Sequence, residues 1–277
     1  MRWFNAIAEE ELAEVCTPEP YLSDGARRMD HQTIPFITGP ELVRKHLLKS
    51  GYGVGNSQFV LDKQKLGFIG SMDVLDYNGD SLLKGLGMSF SIIMWGSHNK
   101  KVAWKIGTGT ETSICLNFEM FNANVSQFTA KHTVNALSKL DTLVSLSVDS
   151  VSAAVEEEKL RQAALRSHHI TLKEGDHHLV EIHLNNDRSM TSNQLSVAAR
   201  EWRKPSYPEH TVYDEPEADW IGWPGPERWS AYRLLQACTE AQKPAGNRTQ
   251  VNYDHIAHRT KAAGDYINNV INFRRAA

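Results

Sequence analysis

The sequence predicts an α+β fold: an antiparallel β-meander of about four strands packed on a long helix, with a helical C-terminal half. Three observations predict it. Between Tyr52 and Phe121, apolar residues alternate or run in short blocks, punctuated by Asn-Gly and glycine-rich turn signals. From Thr129 the apolar spacing lengthens to three and four residues and holds to Ser167. Beyond residue 171 the helical spacing recurs on both sides of a proline- and acid-rich stretch.

Taken in order, residues 3–16 read as a short amphipathic helix stopped before Pro18, and 17–39 as irregular. "GPELVRKHLLKSG" reads as a helix with Pro40 in its first turn and Gly51 ending it. Its apolar side is Leu42, Val43, Leu47 and Leu48, and its polar side offers Arg44, Lys45 and Lys49. In the β region "YNGD" places Asn78-Gly79 between two apolar runs, the strongest short hairpin signal. "GSHNK" makes a second turn and "GTGT" a third. A single long helix then covers roughly 130–167, with Val134, Leu137, Leu140, Leu143, Val144 and Val148 on its apolar stripe. Further helices fall around 176–186, 191–203, 226–242 and 253–270. Residues 204–226 form a surface loop. The organisation expected is 1–39 as an N-terminal helix and irregular segment, 40–170 as the α+β core, and 171–277 as a helical region.

Composition bounds the class. The chain has 277 residues, 41% of them apolar, enough for one large or two small cores. No run of eighteen apolar residues occurs, so no membrane span is expected. Cys16, Cys115 and Cys238 stand far apart, which argues against a disulfide framework or a zinc site and for a reducing cytosol. The net charge of −3 hides a segregation. Residues 1–26 carry one basic and six acidic groups, and 142–226 carry eight and fourteen. Residues 27–141 carry thirteen basic and nine acidic groups, and 227–277 carry eight and four. Two basic blocks alternate with two acidic ones, a pattern that solvated helix faces or a polyanion-binding surface would both produce.

Few catalytic patterns survive inspection. "GYGVGNS" lacks the lysine of a phosphate loop and reads as a glycine turn. Asp73, Asp76 and Asp80 fail the calcium-loop order, and the Asn78-Gly79 turn accounts for that stretch. His168, His169, His177, His178 and His183 lack HExxH spacing and read as solvated helix ends rather than a metal site. No nucleophile motif such as GxSxG occurs, so an enzyme is disfavoured, and no cofactor or metal is expected.

The combination left is lysines, aromatics and glycines on a sheet. Read at strand period, Lys101, Ala103 and Lys105 share one face, while Lys100, Val102, Trp104 and Ile106 share the other. Single-stranded nucleic acid is bound by cations that track the backbone and flat rings on which bases stack. The candidate cations are Arg27, Arg28, Lys45, Lys49, Lys100, Lys101, Lys105 and Lys131, with Arg274 and Arg275 as a basic arm. The candidate stacking rings are Tyr52, Phe59, Tyr77 and Trp95; Trp104 reads as core before platform. Lysines that protect an exposed edge strand from aggregation give an equally physical account of the row.

Three stretches carry a resemblance. In "WGSHNKKVAWKIGTGTETSICLNFEMFNA", Ser97, His98, Cys115 and Asn117 match a family pattern whose acid and glycine after the histidine are here Asn99 and Lys100. "FTAKHTVNAL" matches at His132 and Thr133, with Lys131 in place of an arginine. "ERWSAYRLLQACTEAQK" and the following "HRTKAAGDYI" match two C-terminal helices. Over residues 40–267 the chain thus resembles the phage/plasmid-like proteins of unknown function, which implies a mobile-element protein and transfers no catalytic residue. Its size and basic β half are similar to the single-stranded-DNA-binding RNA polymerase cofactors of lytic podophages that package their own polymerase. That similarity implies single-stranded DNA and the phage RNA polymerase as partners, in the cytoplasm of the infected host. The acidic parts would stay off DNA and dock the polymerase or a second copy in a homo-oligomer. Strand annealing in recombination and inhibition of a host protein are the alternatives.

Overall fold

The computed structural model describes residues 7–15, 33–61, 64–98, 103–112, 118–119, 128–130, 135–184, 190–204, 228–242 and 253–272. The chain divides into two compact units, Met1–Val155 with Arg248–Val251 and Glu156–Asn247 with Asn252–Ala277. The division expected at 170 therefore lies at 155, inside a helix. Among the described residues of 1–39, Leu12, Ile34 and Phe36 are buried in the first unit's core.

The α+β class holds. The first unit contains α1 (Glu9–Ala13), α2 (Thr38–Lys49), β1 (Gly53–Leu61), β2 (Gly67–Leu75), β3 (Met88–Ser97), β4 (Trp104–Thr112), β5 (Phe118–Glu119), β6 (Phe128–Ala130) and α3 (Ala136–Asp149). The four long strands form an antiparallel meander in the order β1-β2-β3-β4, and β5 and β6 both pair with β4. One face of this sheet carries Phe59, Phe68, Met72, Ile92, Met94, Trp104 and Ile106, packed with Val43 and Leu47 of α2 and Leu140, Val144 and Val148 of α3. Burying each large apolar side chain contributes about 1.5–3 kcal/mol, which makes this face the main stabilising element of the unit. Trp104 is fully buried, as its alternation with Lys105 requires. A methyl at Gly39 would sit 2.6 Å from Trp104 Cζ3, so the residue before Pro40 must be small for α2 to approach the sheet.

Several expectations shift. "GTGT" is not a turn: Gly107 pairs with Ile93 and Gly109 with Ser91 in the middle of β4. Trp104, Ile106, Thr108 and Thr110 alternate toward the core face, and that period of two outweighs the turn preference of the glycines. Asn78-Gly79 does form a turn, with Gly79 at φ +83° and the Asp76 carboxylate accepting from the backbone N–H of Asn78 and Asp80. It closes a Leu75–Ser81 bridge only; a 3₁₀ turn over Lys84–Leu86 intervenes before β3. The helix expected over 130–167 is two pieces, α3 and α4 (Val151–Ser167), meeting at Ser150. There the Ser150 hydroxyl donates to the Ser147 carbonyl, a back-bond that bends helices. The N-terminal helix is shorter than the predicted 3–16, and Leu48 faces solvent, 60% exposed, rather than the core.

The second unit contains most of α4, then β7 (His169–Thr171), α5 (Leu172–Leu184), α6 (Ser192–Arg203), β8 (Arg228–Ser230), α7 (Ala231–Gln242) and α8 (Tyr253–Val270). β7 and β8 pair antiparallel, so the start of the predicted 226–242 helix is a short strand. Thr191 and Gln194 form a reciprocal capping box that starts α6. Arg233 of α7 closes the other end of α6: its guanidinium donates to the carbonyls of Glu201, Trp202 and Lys204. Burial lowers the Arg233 pKa to about 10. Trp202 is fully buried, and its indole N–H donates to the Leu172 carbonyl at 3.2 Å.

Candidate nucleic-acid interface

The meander register assigns each sheet residue to a face. The face opposite α2 carries four cross-strand rows. Val60, Ile69, Trp95 and Lys105 lie in one row, and Gln58, Ser71, Ile93 and Gly107 in the next. Asp73, Ser91 and Gly109 form the third; Leu75 opens the fourth. This face is not an open platform. Val60, Gln58, Ile69, Ser71, Ser91, Ile93 and Trp95 are all buried.

Trp95 is 8% exposed, and the Lys105 ammonium lies 5.4 Å from its ring centroid, a cation–π contact within the protein. Lys105 thus shields the ring that the sequence offered for stacking. Phe59 is fully buried, and Tyr52 packs against the apolar core. Of the four stacking rings expected, Tyr77 alone stands out in solvent, at 86% exposure.

The described cations separate as well. Lys105 belongs to the reverse face, near the start of β4, where it pairs with Trp95 near the end of β3. Lys45 and Lys49 belong to α2, whose inner side packs on the opposite face. Both are exposed and one helical turn apart. Lys45 and Lys49, expected on the helix, and Lys105, expected on the sheet face, therefore belong to opposite sides of the meander. Lys100, Lys101, Lys131, Arg27, Arg28, Arg274 and Arg275 lie outside the described residues, as do Cys115, Asn117, His132 and Thr133.

A different grouping emerges at the other end of the sheet. α2 ends at Lys49, and Tyr52 leads directly into Gly53, which pairs with Leu75. Two residues beyond Leu75 is Tyr77, on the tip of the Asn78-Gly79 turn. Continuity and register thus bring the basic C-terminus of α2 and the exposed ring of Tyr77 to one end of the sheet. Cations there also suit the partial negative charge of a helix C-terminus. Acidic neighbours temper this end. Asp141 of α3 lies 3.0 Å from His46 Nε2 and 3.8 Å from Lys45 Nζ. Its hydrogen bond with His46, then its proximity to the charges of His46 and Lys45, lowers the Asp141 pKa. Arg44 is held in a bidentate pair with Glu9, both N–O distances being 2.6 Å. No sequence pattern pointed to this pair, because its members are 35 residues apart.

The residues behind the resemblance have structural roles where they are described. His98 is buried, its Nε2 3.0 Å from the Ile34 carbonyl and its ring stacked on Phe36 at 3.8 Å. Ser97 is buried beside it. The histidines of the second unit likewise take local partners: His178 bonds the Tyr266 hydroxyl at 3.0 Å, and His183 the Met190 carbonyl at 2.9 Å. Among the described residues no group of three His, Cys, Asp or Glu side chains is placed to hold a metal ion. Nor is any helix among them long and apolar enough to cross a membrane.

Asp73 supplies a pH-dependent marker of the reverse face. Burial raises its pKa, and the hydrogen bond from the Ser91 hydroxyl at 2.6 Å only partly offsets this. A carboxyl with a raised folded-state pKa favours the fold when protonated and opposes it as pH rises from the unfolded value through the folded one. Asp73→Asn keeps an acceptor for Ser91 and removes the charge. Thermal unfolding should therefore show the variant more stable than the parent at pH 7, with the difference vanishing at or below the ordinary aspartate value of 3.8.

No protein-family model, no curated protein and no solved structure matches the chain.

Proposed function

We propose that the protein is a non-catalytic phage protein that binds single-stranded DNA with little sequence preference. In this reading it is a transcription cofactor: it holds melted promoter DNA and recruits the phage RNA polymerase in the cytoplasm of the infected host. The observation that supports the DNA contact is the placement of the C-terminal turn of α2, with exposed Lys45 and Lys49, and of the exposed ring of Tyr77 at one end of the meander. Lysines there would neutralise phosphates while the tyrosine stacks on an unpaired base. Stacking of this kind contributes about 1–3 kcal/mol per base and is indifferent to base identity. A duplex, whose bases are already stacked, offers Tyr77 nothing equivalent.

The charge segregation supports the same reading, since residues 27–141 carry thirteen basic against nine acidic groups in a chain of net charge −3. The test is the affinity of a fluorescent oligonucleotide as single strand and as duplex over a range of salt. Annealing of complementary strands, assayed alongside, distinguishes the recombination role from the transcription role.

A further inference from the structure

Within the acidic N-terminal segment, residues 7–15 are fastened to the first unit at three points. The Ile7 N–H donates to the Phe59 carbonyl at 2.8 Å, adding one bridge to the outer edge of β1. Leu12 is buried in the core cluster. Between these anchors the Glu9 carboxylate grips the Arg44 guanidinium with two parallel hydrogen bonds. Glu9, Glu10 and Glu11 make the first turn of α1, and Glu9, Glu41 and Glu10 all act to keep Arg44 charged.

Arg44 is adjacent in sequence to Lys45 and five residues before Lys49 on α2. A planar guanidinium is better suited than either lysine to bidentate recognition of phosphate oxygens. In this fold its fork is filled by a carboxylate, which has the same two-oxygen geometry. The Arg44 side chain is still 39% exposed, against 19% for Glu9, so the arginine borders solvent and its partner sits inward.

We infer that the acidic segment around Glu9 is a built-in competitor for the polyanion, occupying at Arg44 the place of a phosphate. This rests on the proposed single-stranded DNA contact at α2 and deepens it, because it names how that contact is held back. DNA gains Arg44 only by displacing Glu9, so full engagement of α2 is coupled to release of the Glu9–Arg44 pair. The apparent affinity of the resting protein is reduced by the fraction of molecules in which the pair is closed.

The experiment uses the full chain and a fluorescent oligothymidylate at several salt concentrations. Glu9→Gln removes the competing charge and leaves the Ile7 bridge and Leu12 in place. Glu14→Gln removes the same unit of charge from the same segment without touching Arg44. Glu9→Gln should bind severalfold more tightly than the parent, and its salt dependence should steepen by about 0.7, the value of one further single-strand phosphate contact. Glu14→Gln should match the parent within the smaller effect of net charge. The gain from Glu9→Gln should disappear in an Arg44→Ala background. Equal gains from Glu9→Gln and Glu14→Gln, or a gain that persists without Arg44, would overturn the inference while leaving the DNA contact standing. Failure of both the parent and Glu9→Gln to bind at low salt would overturn the contact itself, and the inference with it.

Discussion

Gly175→Ala is expected to cost the second unit about 3 kcal/mol or more of stability, the upper end of what overpacking a core produces. A β-carbon at this position in α5 would lie 2.1 Å from Cζ2 and 2.2 Å from Cε2 of Trp202. Those are the atoms of a ring, not the end of a flexible chain. Trp202 cannot retreat, because it is fully buried and its indole N–H is tied to the Leu172 carbonyl on the same helix as Gly175. Its own backbone carbonyl is also held by Arg233. One methyl thus pushes α5 off α6 or drives Trp202 from its rotamer. The converse change, Trp202→Ala, removes the ring and leaves a cavity, with a loss of about 3–5 kcal/mol. Combining the two should cost less than their sum, since the cavity accommodates the new methyl. Calorimetric or denaturant unfolding reads all three variants; additive losses would mean that the two residues do not pack as the structure has them.

Lys45→Glu with Lys49→Glu should abolish most of the affinity for single-stranded DNA and leave the fold intact. Both side chains are exposed, and exposed substitutions ordinarily shift stability by no more than about 0.5 kcal/mol. Lys45 loses a 3.8 Å approach to Asp141 and gains a repulsive one, but both groups are well solvated, so the effect on folding is small. On DNA the two reversals remove two phosphate contacts and add two repulsions. The dependence of log affinity on log salt should flatten by about 1.4, and affinity at low salt should fall roughly tenfold or more. Lys105→Ala provides the contrast. Its ammonium is engaged over Trp95, so its removal should scarcely change DNA binding. A larger loss from Lys105→Ala than from the α2 pair would return the site to the sheet face that carries Lys105.

How much of this the sequence disclosed depends on the range of the interactions involved. The meander, the core position of Trp104, α2, α6 and α8 follow from local periodicity, and periodicity is written in consecutive residues. Gly107 and Gly109 misled because a glycine marks a turn or a strand with equal ease; only the cross-strand partners Ile93 and Ser91 decide. Ser150 is unremarkable in a helical pattern until its hydroxyl bonds back to Ser147. Strand alternation correctly separated Lys105 from Trp104 but carried no information on whether the lysine's face is open. That face is buried, and the lysine covers Trp95. The candidate interface suffers most, because it depends on long-range pairing. Lys49 and Tyr77 are brought to one end by the Gly53–Leu75 register, and Arg44 is silenced by Glu9 through a contact that no spacing rule encodes.

The central claim is that the basic end of α2, with Tyr77 beside it, receives an unpaired polynucleotide. Its most direct test is the affinity of one labelled oligonucleotide, single-stranded and then annealed to its complement, measured from low to physiological salt. Single strands should bind more tightly than duplex at every salt concentration, with log affinity falling by about 0.7 per phosphate contact as log salt rises. Equal affinity for the duplex, or an affinity for single strands that salt does not change, would contradict the account.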